Sequence, residues 1–522
     1  MKLVKIQLSA AASLLIALSD YAEVKLPAIF GDHMVLQQGS ALPVWGWAER
    51  GDTVTVSVAG QRVTTTAGGD GKWRVNLEPL NVSGEPTELT VVGKNTITLK
   101  DVLIGEVWVC SGQSNMEWPL NATFNAKEES ARARFPQIRF FKVAHKVAFE
   151  PQADCEGSWV VCTPETALTF SGVGYYFSRD LYQSLARPVG MIGSHWSGTP
   201  AQAWTSLEML RAHKPLKPFV DYFEKLCADR TRIEEEYITK TVPEYEAALK
   251  RWQAESKESV RKKPAPPKYE CRTKRADNPT VLNNGMIAPL IPFAIKGVIW
   301  YQGESNANDP ALYRILFPAL ITDWRKNWGQ GDFPFIFVQL CSGAGDDVRI
   351  PLMREAQESA LALPNTGMAV TLDIGEPKNP RLHPRNKRDV GVRLALAAGH
   401  VAYGQALVYS GPIYKSMKID RDQVRLSFDH VGGGLIIAAA PTAKENDPPN
   451  VLSSELKGFT IAGTDRKFVQ AQARIEGENV VVWSEQVTKP VAVRYAWVSF
   501  PDANLYNKEG LPAASFRTDD WK

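Results

Sequence analysis

The chain has 522 residues, and at about 150 residues per domain that length favours three folded units over one. Its 44% hydrophobic and 22% charged residues exclude wholesale disorder and collagen-like repeats. Sixty Lys and Arg against 57 Asp and Glu leave a net charge of +3, which gives no basis for a nucleic-acid or polyanion footprint. Fifteen Trp is a generous share, of the kind met in sugar-handling and β-rich proteins.

In chain order, Lys2 and Lys5, the apolar run from Leu8 to Leu18 and the small residues Ala17 and Ser19 read as a secretory signal peptide over residues 1–22. That run is too short to cross a bilayer as a helix, which needs about 20 apolar residues. A soluble mature protein, periplasmic or secreted and without membrane insertion, is expected. Export permits disulfides, and the spacing of the six Cys favours Cys155 with Cys162 first and Cys227 with Cys271 next. No C-x-x-C occurs, which removes the commonest zinc and redox signatures. Residues 23–104 alternate apolar and polar positions in short runs (TVTVSVAG, WRVNL, TELTVVG), the pattern of a small antiparallel β domain. GGDGK at Gly68 lacks P-loop spacing and is expected to be a hairpin turn.

Residues 105–403 change to continuous apolar runs (VWVC, GMIGSHW, AIKGVIWY, FPFIFVQL, GMAVTLD) separated by helical periodicity, which predicts an α/β domain with a parallel sheet covered on both faces. Within it, Asp221 to Lys263 is dense in Glu, Lys and Arg and then meets KKPAPPK, so residues 221–280 are read as a helical insert with a proline-rich connector and a solvated charged face. From 404 to 522 alternating runs return (VRLSF, GLIIAAA, FVQAQARI, NVVVWS, AVRYAWVSF) and predict a C-terminal antiparallel β region.

In an open α/β sheet, ligands bind beyond the carboxyl ends of the strands. Four loops there carry reactive side chains. In VWVCSGQSNMEW, Ser114 follows a buried strand among Gly112, Gln113 and Asn115; it either caps the next helix or presents a nucleophilic hydroxyl beside backbone N–H groups that can hold an oxyanion. A serine nucleophile needs a base. Among seven His, His383 in the polar loop LDIGEPKNPRLHPRNK is the first candidate, His195 the second and His430 the third. GSHWSGTPAQAW presents Ser197 and Gly198, where a glycine lets a backbone N–H approach a ligand. WYQGESNA places Gln302, Glu304 and Asn306 past another strand, where a side-chain amide can supply a further oxyanion donor.

In this order, GQSNMEW, GSHWSGTPAQAW, WYQGESNA and LHPRNK resemble the sialate O-acetylesterase family of the SGNH-type hydrolases, and NNGMIAPL, REAQ and the tail RYAW…NLYNKEGLPAASFRTD extend the likeness over nearly the whole mature chain. The resemblance implies a three-layer α/β/α SGNH-type domain with flanking N- and C-terminal β regions and deacetylation of an O-acetylated sugar, sialic acids foremost. Acetylxylan or another polysaccharide ester is the alternative substrate, and an inactive carbohydrate-binding protein the alternative from another class. No metal or organic cofactor and no nucleic-acid partner is implied, and the oligomeric state is left open. By motif position Ser114 is the implied nucleophile and His383 the implied base. The N–H groups of Ser114 and Gly198 and the amide of Gln302 are the implied oxyanion donors. Gln113, Asn115, Glu117, Trp118, Glu304 and Arg354 are implied near the substrate, with Arg354 a candidate for a sugar carboxylate. One departure stands out: where relatives carry an Asp two or three residues before the His, this chain has Arg381 and Pro380. The expectation is therefore a Ser–His dyad with a backbone carbonyl near Arg381 orienting His383, and Asp373 or Glu376 serving only if the loop folds back.

Overall fold

The computed structural model of the protein describes residues 23–258, 271–342, 349–375, 383–439 and 455–521. The segment read as a signal peptide, the Pro-rich connector, Glu376, Pro380 and Arg381 lie outside the described residues.

The N-terminal region contributes β1 (Val35–Gln37), β2 (Leu42–Trp47), β3 (Thr53–Val58), β4 (Gln61–Thr66), β5 (Lys72–Leu77) and β6 (Ser83–Val92). They pair antiparallel as β2 with β5 and as β4, β3 and β6 in sequence. GGDGK is a turn, with the Gly71 N–H donating to the Gly68 carbonyl. It is not a hairpin turn, because β4 and β5, which it joins, pair with different strands.

β7 (Thr96–Gly112) crosses the boundary expected at residue 104 without a break. Its first half pairs antiparallel with β6, and from Glu106 onward it lies parallel to both β10 (Val189–His195) and β11 (Gly297–Tyr301). With β8 (Phe135–Lys142), β9 (Trp159–Cys162), β12 (Phe335–Val338) and β13 (Thr366–Ala369), the central order is β13-β12-β11-β7-β10-β8-β9. All neighbours on this path are parallel except β8 and β9. The second half of β7, from Val102, and all of β10, β11 and β12 are buried, as continuous apolar strands must be when helices cover both faces.

Helices α1 (Ser114–Glu117), α2 (Ala126–Arg132), α3 (Pro164–Thr169), α4 (Gly172–Leu185), α5 (Leu207–Ala212), α6 (Lys217–Ala228), α7 (Arg230–Glu236), α8 (Val242–Glu258), α9 (Pro310–Trp328), α10 (Arg349–Glu358) and α11 (Arg388–Tyr403) connect and cover the strands. α4 packs on α11 and α9 on α10, giving the layered α/β domain. α6 to α8 are consecutive helices that begin at Lys217, four residues before the stretch 221–280 read as an insert, and Leu226, Ile233 and Cys271 make a small core of their own there. No helix among the described residues is long and apolar enough to cross a membrane. α11 ends where Gly404 takes φ 64° as a left-handed cap, and antiparallel strands follow from Ile413.

Much of the Trp content serves packing. Trp204, Trp300 and Trp324 are fully buried in edge-to-face contact, and Trp108 is fully buried too. All six thiols are free, which corrects the expected pairings. Cys162 Sγ faces the Ala133 carbonyl while Cys155 lies beside Asp154, Lys146 and Glu156, and burial pushes both thiols up to about 12. Cys271 is buried with Sγ 3.2 Å from Thr273 Oγ1, whereas Cys227 is exposed.

Candidate active site

The carboxyl ends of β7, β10 and β11 meet at one rim. β7 leaves the sheet at Gly112, whose φ of 136° and close approach to Tyr301 admit no side chain: a Cβ there would stand 2.1 Å from the Tyr301 carbonyl oxygen. The Gln113 N–H donates to that same carbonyl at 3.0 Å, and the chain then turns into α1. Gln113 is the N-cap and makes no side-chain cap bond, so Ser114 does not spend its hydroxyl on capping.

Ser114, only 8% exposed, instead meets His383, whose Nε2 lies 2.8 Å from Ser114 Oγ. The Trp118 ring stacks on the imidazole at 5.0 Å between centroids, which fixes its plane. Partial burial, and then the nearby Lys387 ammonium, hold the His383 pKa below the ordinary histidine value. The ring is therefore neutral at pH 7 and able to accept a proton.

On the opposite side, β10 delivers Ser197 and Gly198. Glu117 grips this loop, accepting from the Ser197 N–H at 2.7 Å and the Ser197 hydroxyl at 2.5 Å, while its other oxygen lies 3.0 Å from His145 Nε2. Burial works against the Glu117 carboxylate, but the bonds from His145 and Ser197 outweigh it and lower the pKa to about 2. His145 in turn stacks on Trp196 at 4.1 Å. Gly198 has φ 75° and open space where a Cβ would point. Among the described residues, neither the Ser114 nor the Gly198 backbone N–H has an acceptor.

Other predicted residues steady the loops. Gln302 is fully buried; its amide donates to Asn306 Oδ1 at 2.8 Å and to the Thr199 carbonyl at 3.4 Å, so both donors expected for an oxyanion are already used, and its oxygen accepts from Tyr313. Asn306 also accepts from the Ala201 N–H, binding the β11 loop to the Gly198 loop. Gln113 Oε1 accepts from the Ser305 N–H at 3.1 Å, which places this buried amide against the β11 loop. Asn115 donates to Glu304 and accepts from Lys387. Burial raises the Glu304 pKa, and its Oε2 has no hydrogen-bond partner among the described residues.

Arg354 is corrected outright. It is 0% exposed and donates to the carbonyls of Leu340, Cys341, Val498 and Ser499, so it reaches no substrate carboxylate. Asp373 pairs bidentately with Arg393 at 2.7 Å and accepts from Tyr506, which commits it away from His383. The Arg381 carbonyl falls outside the described residues. His195 is buried, its two ring nitrogens have no partner among the described residues, and burial lowers its pKa to about 4. His430 sits in the β tail against Tyr409. Sequence reasoning passed over Lys387 and His145. Lys387 stands inside the quoted LHPRNK motif, but only the fold reveals that it is buried over the Tyr301 ring; His145 carries no local signal.

Comparison with known proteins identifies the family. The profile of the family "Carbohydrate esterase, sialic acid-specific acetylesterase" matches residues 104–399. Sialate O-acetylesterase of Rattus norvegicus is 36% identical over 74% of this chain and 75% of its own length. That of Mus musculus is 34% identical over 93% and 92%. The crystal structure of a carbohydrate acetylesterase from Xanthomonas citri superposes with a TM-score of 0.78 at 36% identity, covering 96% of this chain and 100% of that one. The chain therefore belongs to the sialic acid-specific acetylesterase family and is a carbohydrate acetylesterase.

Proposed function

We propose that the protein hydrolyses acetyl esters on the hydroxyls of sialic acids through an acetyl-serine intermediate. The observation that carries the mechanism is the 2.8 Å contact between His383 Nε2 and Ser114 Oγ. Ser114 Oγ attacks the acetyl carbonyl carbon while His383 Nε2 takes its proton. The negative charge on the carbonyl oxygen is met by the Ser114 and Gly198 N–H groups. Collapse breaks the bond to the sugar oxygen, which leaves with the proton from His383. Water then attacks the acetyl-serine with His383 again as base, and acetate departs. Sialic acid as the sugar is supported by the names of the curated relatives and by the family profile. The N-terminal pattern of Lys2, Lys5 and Leu8 to Leu18 supports export as the route to such glycans.

Ser114→Ala tests the chemistry. Acetate release from p-nitrophenyl acetate is expected to fall by at least about 1,000-fold, the usual cost of removing a nucleophile; a variant that keeps the wild-type rate overturns the assignment. Acetate release from acetylated mucin against acetylated xylan tests the sugar: preference for xylan replaces the sialate reading with the polysaccharide one.

A further inference from the structure

His383 and Ser114 lie 269 positions apart, and one buried side chain reaches the segments of both. We propose that Lys387 is a positioning residue for the hydrolysis: its ammonium ties the helix that carries Ser114 to the segment that carries His383, and its charge sets how far into acid the pair works. The proposal rests on the Ser114–His383 mechanism above and deepens it.

Lys387 is fully buried, four residues beyond His383, at the N-cap of α11. Its backbone is held there on both sides: the N–H donates to the Arg385 carbonyl at 2.9 Å, and the carbonyl accepts from the Gly391 N–H at 3.0 Å. From that fixed base the side chain crosses to α1, where Nζ donates to Asn115 Oδ1 and stands 5.3 Å from the centre of the Tyr301 ring. Asn115, the residue after Ser114, is fully buried too and passes the contact on by donating to Glu304 Oε1. The chain of bonds from Lys387 through Asn115 to Glu304 therefore joins the segments of the proposed base and the proposed nucleophile to the β11 loop.

A neutral donor would hold Asn115 Oδ1 at a smaller desolvation cost; what an ammonium adds is its field. His383 stands in that field, since after partial burial it is Lys387 that holds its pKa down. A positive charge nearby disfavours the imidazolium and leaves the neutral ring that can accept the Ser114 proton. Around the ammonium stand the Glu304 carboxyl, the Cys341 thiol and the Tyr301 phenol; burial raises all three, so the thiol and the phenol carry no charge at pH 7. Arg354, which faces Cys341 and Tyr301, bonds backbone carbonyls. On the elements packed against His383, the Trp118 ring and the Ser114 hydroxyl meet the imidazole, Glu117 is turned to Ser197 and His145, and the Arg385 guanidinium lies over the Phe124 ring.

The test reads kcat and KM on p-nitrophenyl acetate between about pH 4 and about pH 8 for the wild type, Lys387→Met and Lys387→Gln; glutamine keeps a donor for Asn115 and removes the charge. The acid limb of kcat/KM, which reports the base of the free enzyme, is expected to move up by about 0.5 to 1 pH unit in both variants. Relative to the wild type, activity at pH 5 then falls about 3- to 10-fold more than at pH 8. Lys387→Met, which also lets Asn115 go, is expected to lose about 10-fold in kcat at pH 8 with KM little changed. A limb that keeps its wild-type position in both variants, or a loss confined to KM, overturns the proposal and leaves the Ser114–His383 mechanism intact. If neither lysine variant folds, Asn115→Leu carries the test, because it cuts the same link and keeps the ammonium: kcat is expected to fall about 10-fold with the acid limb unmoved, and an unchanged kcat overturns the proposal. A wild-type enzyme with no acid limb below pH 7, or a fully active Ser114→Ala, overturns the mechanism and the proposal together.

Discussion

Glu117 acts on the reaction through its neighbours. One oxygen holds the Ser197 N–H and hydroxyl, the other faces His145, and Ser197 precedes Gly198, whose N–H the proposed mechanism assigns to the oxyanion. A carboxylate with a pKa near 2 stays ionised throughout the range in which His383 is neutral, so this grip persists wherever the enzyme works. Glu117→Gln keeps the shape but replaces one acceptor with a donor that faces donors. The Gly198 N–H loses its fixed aim, and kcat on p-nitrophenyl acetate is expected to fall about 10- to 100-fold with KM little changed, toward the lower end of what losing one oxyanion donor costs. A variant that raises KM at unchanged kcat would instead place Glu117 in substrate binding. The sequence showed Glu117 only as a motif position. Its role depends on His145, 28 positions along, and on Ser197, 80 positions along, and no local pattern links the three.

The junction of β7, Gly112 and α1 sets where Ser114, the proposed nucleophile, stands at the rim of the sheet. Gly112 packs against the Tyr301 backbone closely enough that a Cβ would overlap its carbonyl, and its φ lies where side chains are strained. Gly112→Ala is expected to destabilise the fold by about 3 kcal/mol or more, read as a shift in urea midpoint; a loss below about 1 kcal/mol would show that the β7–β11 contact yields easily. At this scale the sequence was informative where a strand is purely apolar. VWVC, GMIGSHW, GVIWY, FIFV and GMA all became central strands, because burial on both faces demands uninterrupted apolar residues. β8, FPQIRFFK, was not legible: Pro136 and Arg139 interrupt the pattern, and the buried arginine is received by Asp101, 38 positions away, and by the Pro136 carbonyl. The helix after Gln113 and the loop carrying His383 were readable from punctuation and charge. The oxyanion role read for Gln302 was not supported, since only coordinates show its amide turned toward Asn306 and Thr199.

The N-terminal strands, the esterase sheet and the C-terminal strands share one continuous hydrophobic cluster, from Val24 to Phe516. Arg354 joins two of these regions by bonding the carbonyls of Leu340 and Cys341, just past β12, and those of Val498 and Ser499 in the C-terminal region. Glu355, the next residue of α10, holds Arg517 of the tail bidentately at 2.9 and 3.0 Å. Arg354→Met fills the volume but leaves buried carbonyls without donors, each costing about 1–3 kcal/mol, so a total loss of about 3 kcal/mol or more in urea unfolding is expected. Because the guanidinium touches no substrate, any loss of activity should be equal on sialylated and neutral acetyl esters; a selective loss on the sialylated one would return Arg354 to the binding site. β7 binds the N-terminal region to the esterase sheet more tightly still. The strand that begins among the N-terminal ribbons ends two residues before Ser114. β7 is continuous between the accessory ribbons and the turn into Ser114, so a displacement of those ribbons along the strand is carried to the proposed nucleophile.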